Sequence, residues 1–315
     1  MCAVFGLIDY NSALSTRAKE KILRILSKEC ETRGTDATGF AFNNGSHITV
    51  YKRPQPAHKV KLRLPENVKV VMGHTRLSTQ GSEKFNFNNH PFIGRTKEGN
   101  FALAHNGVLS NDELLRKTKG IPKSLIETDS YIAVQLLEQA GELNFDSLRN
   151  MAEDVIGSFV FTVLDDKDNI YFVRGNNPLC IYNFEYLGIY LYASTKEILD
   201  RAVRKLGLSR LSKTEIPVSY GDILKIDSFG SISRSTFDSW GYLLGGFYDR
   251  EEEYTFGGYQ LQQLKEFARC FGIDERWVED LYLCGYTADE IEELLYEPDE
   301  MAAAINMLDY EELYC

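Results

Sequence analysis

The chain begins with MCAVFG, residues 1–6, so a cysteine directly follows the initiator methionine. Removal of Met1, which a small second residue generally permits, would leave Cys2 with both a thiol and a free α-amine. An α-amine titrates at about pH 7.7 to 8, so it can accept the thiol proton at neutral pH and serve as the base for its own nucleophile. The alternative is a small apolar residue at the start of a buried strand.

Five segments rich in glycine and polar residues follow Cys2. They are RGTDATG at 33–39, GHTRLSTQG at 73–81, NHPF at 89–92, HNG at 105–107 and ETDS at 127–130. In this order, and together with Cys2, they resemble the glutaminase domain of class II glutamine amidotransferases, such as glucosamine-6-phosphate synthase and amidophosphoribosyltransferase. Similar segments continue as GSFV at 157–160, RGNNPL at 174–179, YAST at 192–195 and GDIL at 221–224. The resemblance covers residues 2–235 and favours a nucleophilic Cys2.

Composition limits the classes of function. The 315 residues are 43% hydrophobic and 26% charged, which is ordinary for a globular protein. The six cysteines form no C-x-x-C pair and no cationic apolar leader precedes them, so we expect a reduced, cytoplasmic protein. The longest apolar stretches have the length of a strand, so we expect no membrane-spanning role. The five histidines lack metal-ligand spacing, and we expect no metal and no cofactor.

Charge divides the chain into two parts. Residues 246–315 contain 19 acidic and 4 basic side chains, a net charge of −15, whereas residues 1–245 carry +4. We therefore predict a glutaminase domain over residues 1–245 and an acidic helical C-terminal module over residues 246–315. An acidic surface repels nucleic-acid phosphates, so we expect no nucleic-acid binding. The module could dock on a basic surface, or its charges could form a solvated helical face.

Hydrophobic periodicity predicts an α+β fold. Strands are predicted over residues 2–8, 39–43, 47–51, 69–74, 101–105, 157–164, 170–174, 179–183 and 188–193. Helices are predicted over residues 17–28, 112–115, 128–139 and 195–206, with Thr128 as an N-cap residue. The Asn44-Gly45 pair predicts a tight hairpin. The resemblance implies a four-layer αββα sandwich of the N-terminal nucleophile hydrolase type, with a small all-helical appendage.

Three amphipathic helical segments are predicted in the acidic tail, over residues 260–271, 275–283 and 288–296. Gly285 suits a helix C-terminal turn, and Thr287 with Glu290 matches a capping box. A helix-turn-helix reader of DNA would need a basic recognition helix, but residues 288–296 carry four carboxylates and no basic residue. The tail is therefore interpreted as a compact acidic helical module, for which docking is one of the two open roles.

The resemblance implies how Cys2 would act on the side-chain amide of glutamine. Its thiolate would attack the amide carbonyl and form a thioester with release of ammonia, after which water would free glutamate. The Asn106 side chain and the Gly107 backbone N–H would form the oxyanion hole, which needs an uncharged donor and a close backbone approach. The alternative for this pair is an ordinary Asn-Gly turn between strands.

The resemblance also implies which residues bind the substrate. Arg76 would bind the α-carboxylate, because a guanidinium matches two carboxylate oxygens, and Asp129 would hold the α-ammonium. Their alternatives are a surface arginine and an aspartate at a helix start. Residues 77–85 correspond to the mobile loop that closes over glutamine, although an inert surface loop would look similar. The further substrate-binding candidates are His74, Thr79, Gly34 and Asp36, of which Gly34 and Asp36 could instead be purely structural.

These residues predict a glutaminase that hydrolyses L-glutamine and passes ammonia to a separate acceptor synthetase or transferase. Beyond residue 245, nothing in the sequence matches the sugar isomerase or phosphoribosyltransferase domains to which such glutaminases are usually fused. One alternative is a stand-alone amidohydrolase of a γ-glutamyl amide. Another is a catalytically silent glutamine-binding or scaffold protein, which permanent retention of Met1 would favour.

Overall fold

The computed structural model describes residues 2–45, 47–238, 261, 264–265, 268–269 and 272–312. The chain divides into two units, Met1–Ser239 and Trp240–Cys315. The boundary predicted between residues 245 and 246 lies outside the described residues, so it stays a prediction. None of the helices in the described ranges has the length and the apolar composition that crossing a bilayer requires.

The larger sheet of the first unit has seven antiparallel strands within the described residues. From one edge to the other they are β11 (Thr214–Glu215), β9 (Cys180–Phe184), β10 (Ile189–Ala193), β1 (Ala3–Asp9), β4 (Val70–Arg76), β2 (Ala37–Asn44) and β3 (His47–Arg53). The predicted hairpin is confirmed, with Asn44 opposite His47. β1 lies in the middle of this sheet, and its residues are buried, as its nearly unbroken apolar sequence requires.

The smaller sheet has six antiparallel strands within the described residues. In order they are β13 (Ile232–Thr236), β12 (Asp222–Ile226), β8 (Ile170–Arg174), β7 (Gly157–Asp165), β6 (Asn100–Leu109) and β5 (Phe92–Arg95). An apolar layer joins the inner faces of the two sheets. It includes Val4, Ile8 and Ala41 from the larger sheet and Ala102, Val160 and Phe172 from the smaller one.

Helices cover the outer faces of both sheets. α1 (Thr16–Glu29) and α5 (Lys196–Lys205) lie on the larger sheet, where residues such as Leu23 and Leu199 join the same core as Phe5. α2 (Asp112–Thr118) contacts α3 (Tyr131–Ala140), while α3 and α4 (Phe145–Asp154) contact β5 and β12 of the smaller sheet. The α+β fold and its expected αββα layers are therefore confirmed.

Local structure differs from the prediction at several places in the first unit. The helix expected from Thr128 begins at Tyr131 with Ser130 as its N-cap, so the N-cap prediction for Thr128 is wrong. The chain makes a turn there, in which the Tyr131 N–H donates to the Thr128 carbonyl oxygen at 3.2 Å. Neither α4 nor the strands β5, β11, β12 and β13 were among the predicted elements. β5 has only 4 residues, which is too short to show a clear hydrophobic period.

The second unit is helical where it is described. α6 (Glu275–Leu283) and α7 (Ala288–Tyr296) have the predicted bounds, and α8 (Pro298–Glu312) follows them. The capping box of α7 is confirmed, because the Thr287 N–H donates to Glu290 Oε2 at 2.8 Å and the Glu290 N–H donates to Thr287 Oγ1 at 3.3 Å. Of the segment predicted over 260–271, the described residues 261, 264, 265, 268 and 269 are helical, and the rest lies outside the described residues.

Candidate active site

Cys2 directly precedes the central strand of the larger sheet. β1 pairs antiparallel with β4, with Ala3 opposite Thr75, so Cys2 lies beside Arg76 at the end of β4. The Cys2 carbonyl oxygen accepts a hydrogen bond from Arg33 Nε at 3.0 Å, which fixes the backbone at this residue. Antiparallel pairing thus brings together two motifs that are more than 70 residues apart in the sequence.

The Cys2 thiol lies in a desolvated environment and is influenced by charged groups of both signs. Its Sγ lies 3.6 Å from the Leu77 carbonyl oxygen, to which the thiol donates. Burial raises the pKa of the Cys2 thiol; the positive charge of Arg76 acts in the opposite direction, and the negative charge of Asp129 adds to the increase. A thiol of raised pKa stays protonated at neutral pH, so it needs a base before it can attack a carbonyl carbon.

Gly34 and Asp36 support the end of β4 and the start of the following loop. A Cβ atom on Gly34 would lie 2.5 Å from the Arg76 carbonyl carbon and 2.6 Å from the Leu77 nitrogen, so only glycine permits this backbone approach. The Asp36 N–H donates to the Arg76 carbonyl oxygen at 2.9 Å, and Asp36 Oδ2 accepts from the Ser78 N–H at 2.7 Å. These contacts favour a supporting role for both residues.

Arg76 is a buried guanidinium, only 3% exposed, whose hydrogen-bond acceptors are all neutral. Its Nη1 donates to Asn89 Oδ1 at 2.7 Å, and its Nη2 donates to the carbonyl oxygens of Gln80 and Gly81 at 2.6 and 2.8 Å. Among the described residues, no carboxylate lies within ion-pair distance of it. The alternative of a surface arginine is therefore wrong, and a buried charge without a counter-ion is costly unless a ligand supplies one.

Asp129 is the matching buried carboxylate, 4% exposed. Its Oδ2 accepts from the Leu109 N–H at 2.6 Å, and its Oδ1 accepts from Ser130 Oγ at 3.2 Å. No lysine, arginine or histidine of the described chain forms an ion pair with it. Burial lowers the pKa of Arg76, and the negative charge of Asp129 is among the charges that oppose this decrease. The two side chains are therefore close enough to interact electrostatically.

Asn106 and Gly107 lie inside β6 rather than in a turn. They pair with Val160 and Phe159 of β7, so the alternative of an ordinary Asn-Gly turn is wrong. Asn106 is 0% exposed, and neither its Nδ2 nor its Oδ1 has a hydrogen-bond partner among the described residues. A fully buried amide without a partner is rare in proteins, and a catalytic role is one of the reasons for which it occurs.

The backbone around the Asn106-Gly107 pair is held in an unusual conformation. Gly107 has a φ of +144°, which side-chain-bearing residues rarely adopt, and a Cβ there would overlap the Ser158 carbonyl oxygen. Asn177 Nδ2 donates to the Asn106 carbonyl oxygen at 2.9 Å. Asn177 was not singled out as a site residue by sequence reasoning, although it lies in the RGNNPL segment.

His74 links the two sheets at the site. Its ring is 1% exposed, and its Nε2 donates to the His105 carbonyl oxygen at 2.9 Å, which joins β4 to β6 one residue before Asn106. The geometry favours a positioning role for His74 over direct contact with a substrate. Thr79 is exposed in the loop of residues 77–85, where it is accessible to a ligand.

Asn88 is a buried residue near the site that sequence reasoning did not single out. Its Nδ2 donates to Glu127 Oε2 at 2.8 Å and to the Ser82 carbonyl oxygen at 3.1 Å, and its Oδ1 accepts from the Glu127 N–H at 2.9 Å. It therefore connects the 77–85 loop to the segment that carries Asp129. The only signal in the sequence is its position directly before the NHPF motif.

Three buried histidines, His74, His90 and His105, form a cluster next to the site. The ring centroids of His74 and His90 are 4.3 Å apart, and those of His90 and His105 are 6.5 Å apart. Burial lowers the pKa of His74 to about 3, and it also lowers the pKa values of His90 and His105. All three rings are therefore neutral at pH 7. Within the described residues, no group of three His, Cys, Asp or Glu side chains is arranged to hold a metal ion.

We expect the protein to lose stability as the pH falls below 6.5, the pKa that an unperturbed histidine has. The unfolded chain binds protons on these rings below that pH while the folded chain excludes them, so each fully excluded ring costs about 2 kcal/mol by pH 5. In the variant His90→Phe, denaturant unfolding at pH 7, 6 and 5 should show a smaller pH-dependent loss than in the wild type. An unchanged loss would contradict the neutral state of His90.

The chain is similar in sequence to glutamine-dependent aminotransferases, although no family model matches it. Over 190 residues, 58% of its length, it is 34% identical to glutamine–fructose-6-phosphate aminotransferase (isomerizing) of Staphylococcus aureus strain Mu50. It is 33% identical over 189 residues to the enzyme of the same description from Bacillus thuringiensis subsp. konkukian strain 97-27. Each match covers 30% of the relative, so the chain spans less than a third of the length of these curated relatives.

Two solved structures share the fold. Glutamine phosphoribosylpyrophosphate amidotransferase from B. subtilis, complexed with ADP and GMP, has a TM-score of 0.59 and 19% identity, over 86% of this chain and 58% of that chain. An allosteric regulatory enzyme of purine biosynthesis has a TM-score of 0.59 and 20% identity, over 85% of this chain and 58% of that chain. The resemblance to class II glutamine amidotransferases, with their N-terminal nucleophile fold, is thereby confirmed.

Proposed function

We propose that the first unit hydrolyses the side-chain amide of free L-glutamine. The observation that carries this proposal is the pair of complementary buried charges, the Arg76 guanidinium and the Asp129 carboxylate, neither of which has an ionic partner in the described chain. A free amino acid carries one carboxylate and one ammonium group, so it supplies both missing counter-ions. The similarity to glutamine-dependent enzymes supports glutamine as this amino acid.

The reaction follows from the groups around Cys2. With Met1 removed, the α-amine takes the thiol proton, and the thiolate attacks the amide carbonyl carbon of glutamine. The Asn106 amide, which has no partner in the described part of the chain, donates to the oxyanion, and the Gly107 N–H is the proposed second donor. The carbon–nitrogen bond then breaks, and the proton held by the α-amine leaves with the nitrogen as ammonia. Water attacks the resulting thioester and releases glutamate and the free thiol.

The remaining predicted residues act around this reaction centre. We propose that Gly34, Asp36 and His74 hold the backbone of β4 and β6 in place, as their hydrogen bonds and close contacts indicate. We assign Thr79, which is exposed in the loop, a substrate contact that forms when the loop closes.

Ammonia released at this site would be used by an acceptor enzyme. We propose that the acceptor is a separate synthetase or transferase and that the acidic tail takes part in docking it. The net charge of −15 over residues 246–315 supports contact with a basic surface. The full-length protein should then retain a partner in pull-down from its own cell extract, and the partner should raise the glutaminase rate. A truncation after residue 245 should hydrolyse glutamine but lose the partner.

We also propose a reducing, cytoplasmic location. Four cysteines of the described chain, Cys2, Cys30, Cys180 and Cys284, form no disulfide. Free thiols in this number are typical of proteins from reducing compartments. A free thiol at Cys2 is also what the proposed reaction requires.

The proposed reaction is tested by measuring the ammonia released from L-glutamine, D-glutamine and L-asparagine, together with the amino-acid product, which is glutamate from either glutamine and aspartate from asparagine. Equal amounts of the two products from L-glutamine are expected, with little release from the other two amides. D-Glutamine exchanges the positions of the two charged groups, and L-asparagine places its amide one methylene nearer to them. Comparable rates on all three compounds would contradict recognition of both charges, and no release from any of them by fully processed protein would contradict the reaction itself.

A further inference from the structure

Asn89 is the one side chain of the described residues that bonds to the Arg76 guanidinium. Its Oδ1 accepts from Arg76 Nη1 at 2.7 Å, whereas the other two acceptors, on Gln80 and Gly81, are backbone carbonyls of the loop. On its other side, Asn89 Nδ2 donates to the Glu83 carbonyl oxygen at 2.8 Å. A single amide therefore bridges the guanidinium and the loop of residues 77–85.

The backbone of Asn89 is fixed independently of these side-chain bonds. Lys52 Nζ, from β3, donates to the Asn89 carbonyl oxygen at 2.5 Å and to the Pro91 carbonyl oxygen at 3.2 Å. The Asn89 N–H donates to the Asn86 carbonyl oxygen at 3.3 Å, and the residue is 0% exposed. Because these hydrogen bonds hold its backbone, the Asn89 side-chain amide can set the direction in which the Arg76 guanidinium points.

The charge of residue 89 matters as much as its shape. An asparagine holds the guanidinium by a neutral acceptor, so Arg76 keeps an unneutralised positive charge. An aspartate at this position would place a carboxylate beside Arg76, and the resulting internal ion pair would replace the one that a substrate carboxylate forms. A binding site for a carboxylate needs a guanidinium that is held in a fixed orientation and still carries its full positive charge.

We propose that Asn89 is a positioning residue that orients Arg76, and with it the loop of residues 77–85, to receive the α-carboxylate of the substrate. The inference rests on the proposed hydrolysis of glutamine. It predicts an effect that depends on the carboxylate of the substrate, because Asn89 acts through Arg76 and is buried away from the solvent.

The test compares kcat and KM of full-length, Met1-free wild type, Asn89→Ala and Asn89→Asp, with L-glutamine and with 4-aminobutanamide, which lacks the α-carboxylate. For glutamine, Asn89→Ala should raise KM by about tenfold, the usual effect of losing a hydrogen bond to a charged group, with little change in kcat. Asn89→Asp should raise KM further, because its carboxylate competes with that of the substrate. For 4-aminobutanamide, kcat/KM should change by less than about twofold in both variants.

Asn43→Ala is the matched control, because Asn43 is also a buried, hydrogen-bonded asparagine, whose Nδ2 donates to the Asp165 carbonyl oxygen at 2.9 Å and to Asp168 Oδ1 at 2.8 Å. It should lower the melting temperature and leave KM for glutamine unchanged. Equal losses on both substrates for the Asn89 variants, or an unchanged KM for glutamine, would overturn the proposal.

A failure of the proposed function gives a different result. In that case the wild type itself would release no glutamate, and the role of Asn89 would be read from equilibrium binding of L-glutamine to Cys2→Ala protein. If the double variant Cys2→Ala/Asn89→Asp binds L-glutamine more weakly than Cys2→Ala does, and its melting temperature is unchanged, the positioning role is supported. Unchanged binding would overturn it.

Discussion

Replacement of Cys2 by alanine is expected to abolish the release of glutamate from L-glutamine. The Cys2 thiol is the group that forms the thioester in the proposed reaction. Without it, the site can bind the substrate but cannot form the covalent intermediate. Loss of a catalytic nucleophile typically lowers kcat by about 10⁶-fold, which places the variant below detection in an ordinary assay. The measurement is coupled detection of glutamate with enzyme whose N-terminal mass has been verified.

Two controls separate this loss from a structural effect. Cys2→Ala should still bind L-glutamine, because Arg76 and Asp129 are unchanged. Cys284→Ala removes an exposed thiol of the second unit and should leave the rate unchanged. Substantial hydrolysis by the Cys2→Ala protein would show that another group attacks the amide.

Replacement of Asn106 by leucine should lower kcat for glutamine by about 100- to 1,000-fold, with a much smaller change in KM. The leucine side chain has a similar shape but cannot donate a hydrogen bond to the oxyanion. Because the Asn106 amide has no partner among the described residues, its removal breaks no hydrogen bond within that part of the chain. We therefore expect the melting temperature to be equal to or higher than that of the wild type.

The opposite result is expected for Asn43→Leu. This control breaks two hydrogen bonds of a buried amide, so it should lower the melting temperature but preserve kcat. If Asn106→Leu loses stability and activity together, as a folding defect would cause, the amide has a structural role. If it keeps full activity, Asn106 is not part of the oxyanion hole.

Local signals in the sequence predicted the central strand and one hairpin of the larger sheet. The apolar run after Cys2 predicted β1, and the Asn44-Gly45 pair predicted the hairpin of β2 and β3; both are present. The convergence of Cys2 and Arg76 could not be read from periodicity, since it depends on which strands pair. It came from the resemblance, and the register of β1 and β4 now explains it.

Other features of the site depend on contacts that a single sequence does not encode in a recognisable pattern. Asn106-Gly107 resembles a turn by composition, but pairing with β7 keeps it extended. Thr128 resembles an N-cap residue, but the turn before α3 carries Asp129 instead toward the amide of Leu109. Asn89 is one asparagine among several, and only its bond to Arg76 distinguishes it.

The most direct test of the central claim, that Cys2 hydrolyses glutamine with its own α-amine as the base, uses a removable N-terminal extension. A protease site placed so that cleavage leaves Cys2 as the first residue yields the same protein with a blocked or a free α-amine. Glutamate release should be very low before cleavage and should rise in proportion to the free N-terminus measured by intact mass. Equal activity before and after cleavage would contradict the role of the α-amine, and no activity after complete cleavage would contradict glutamine hydrolysis by this protein.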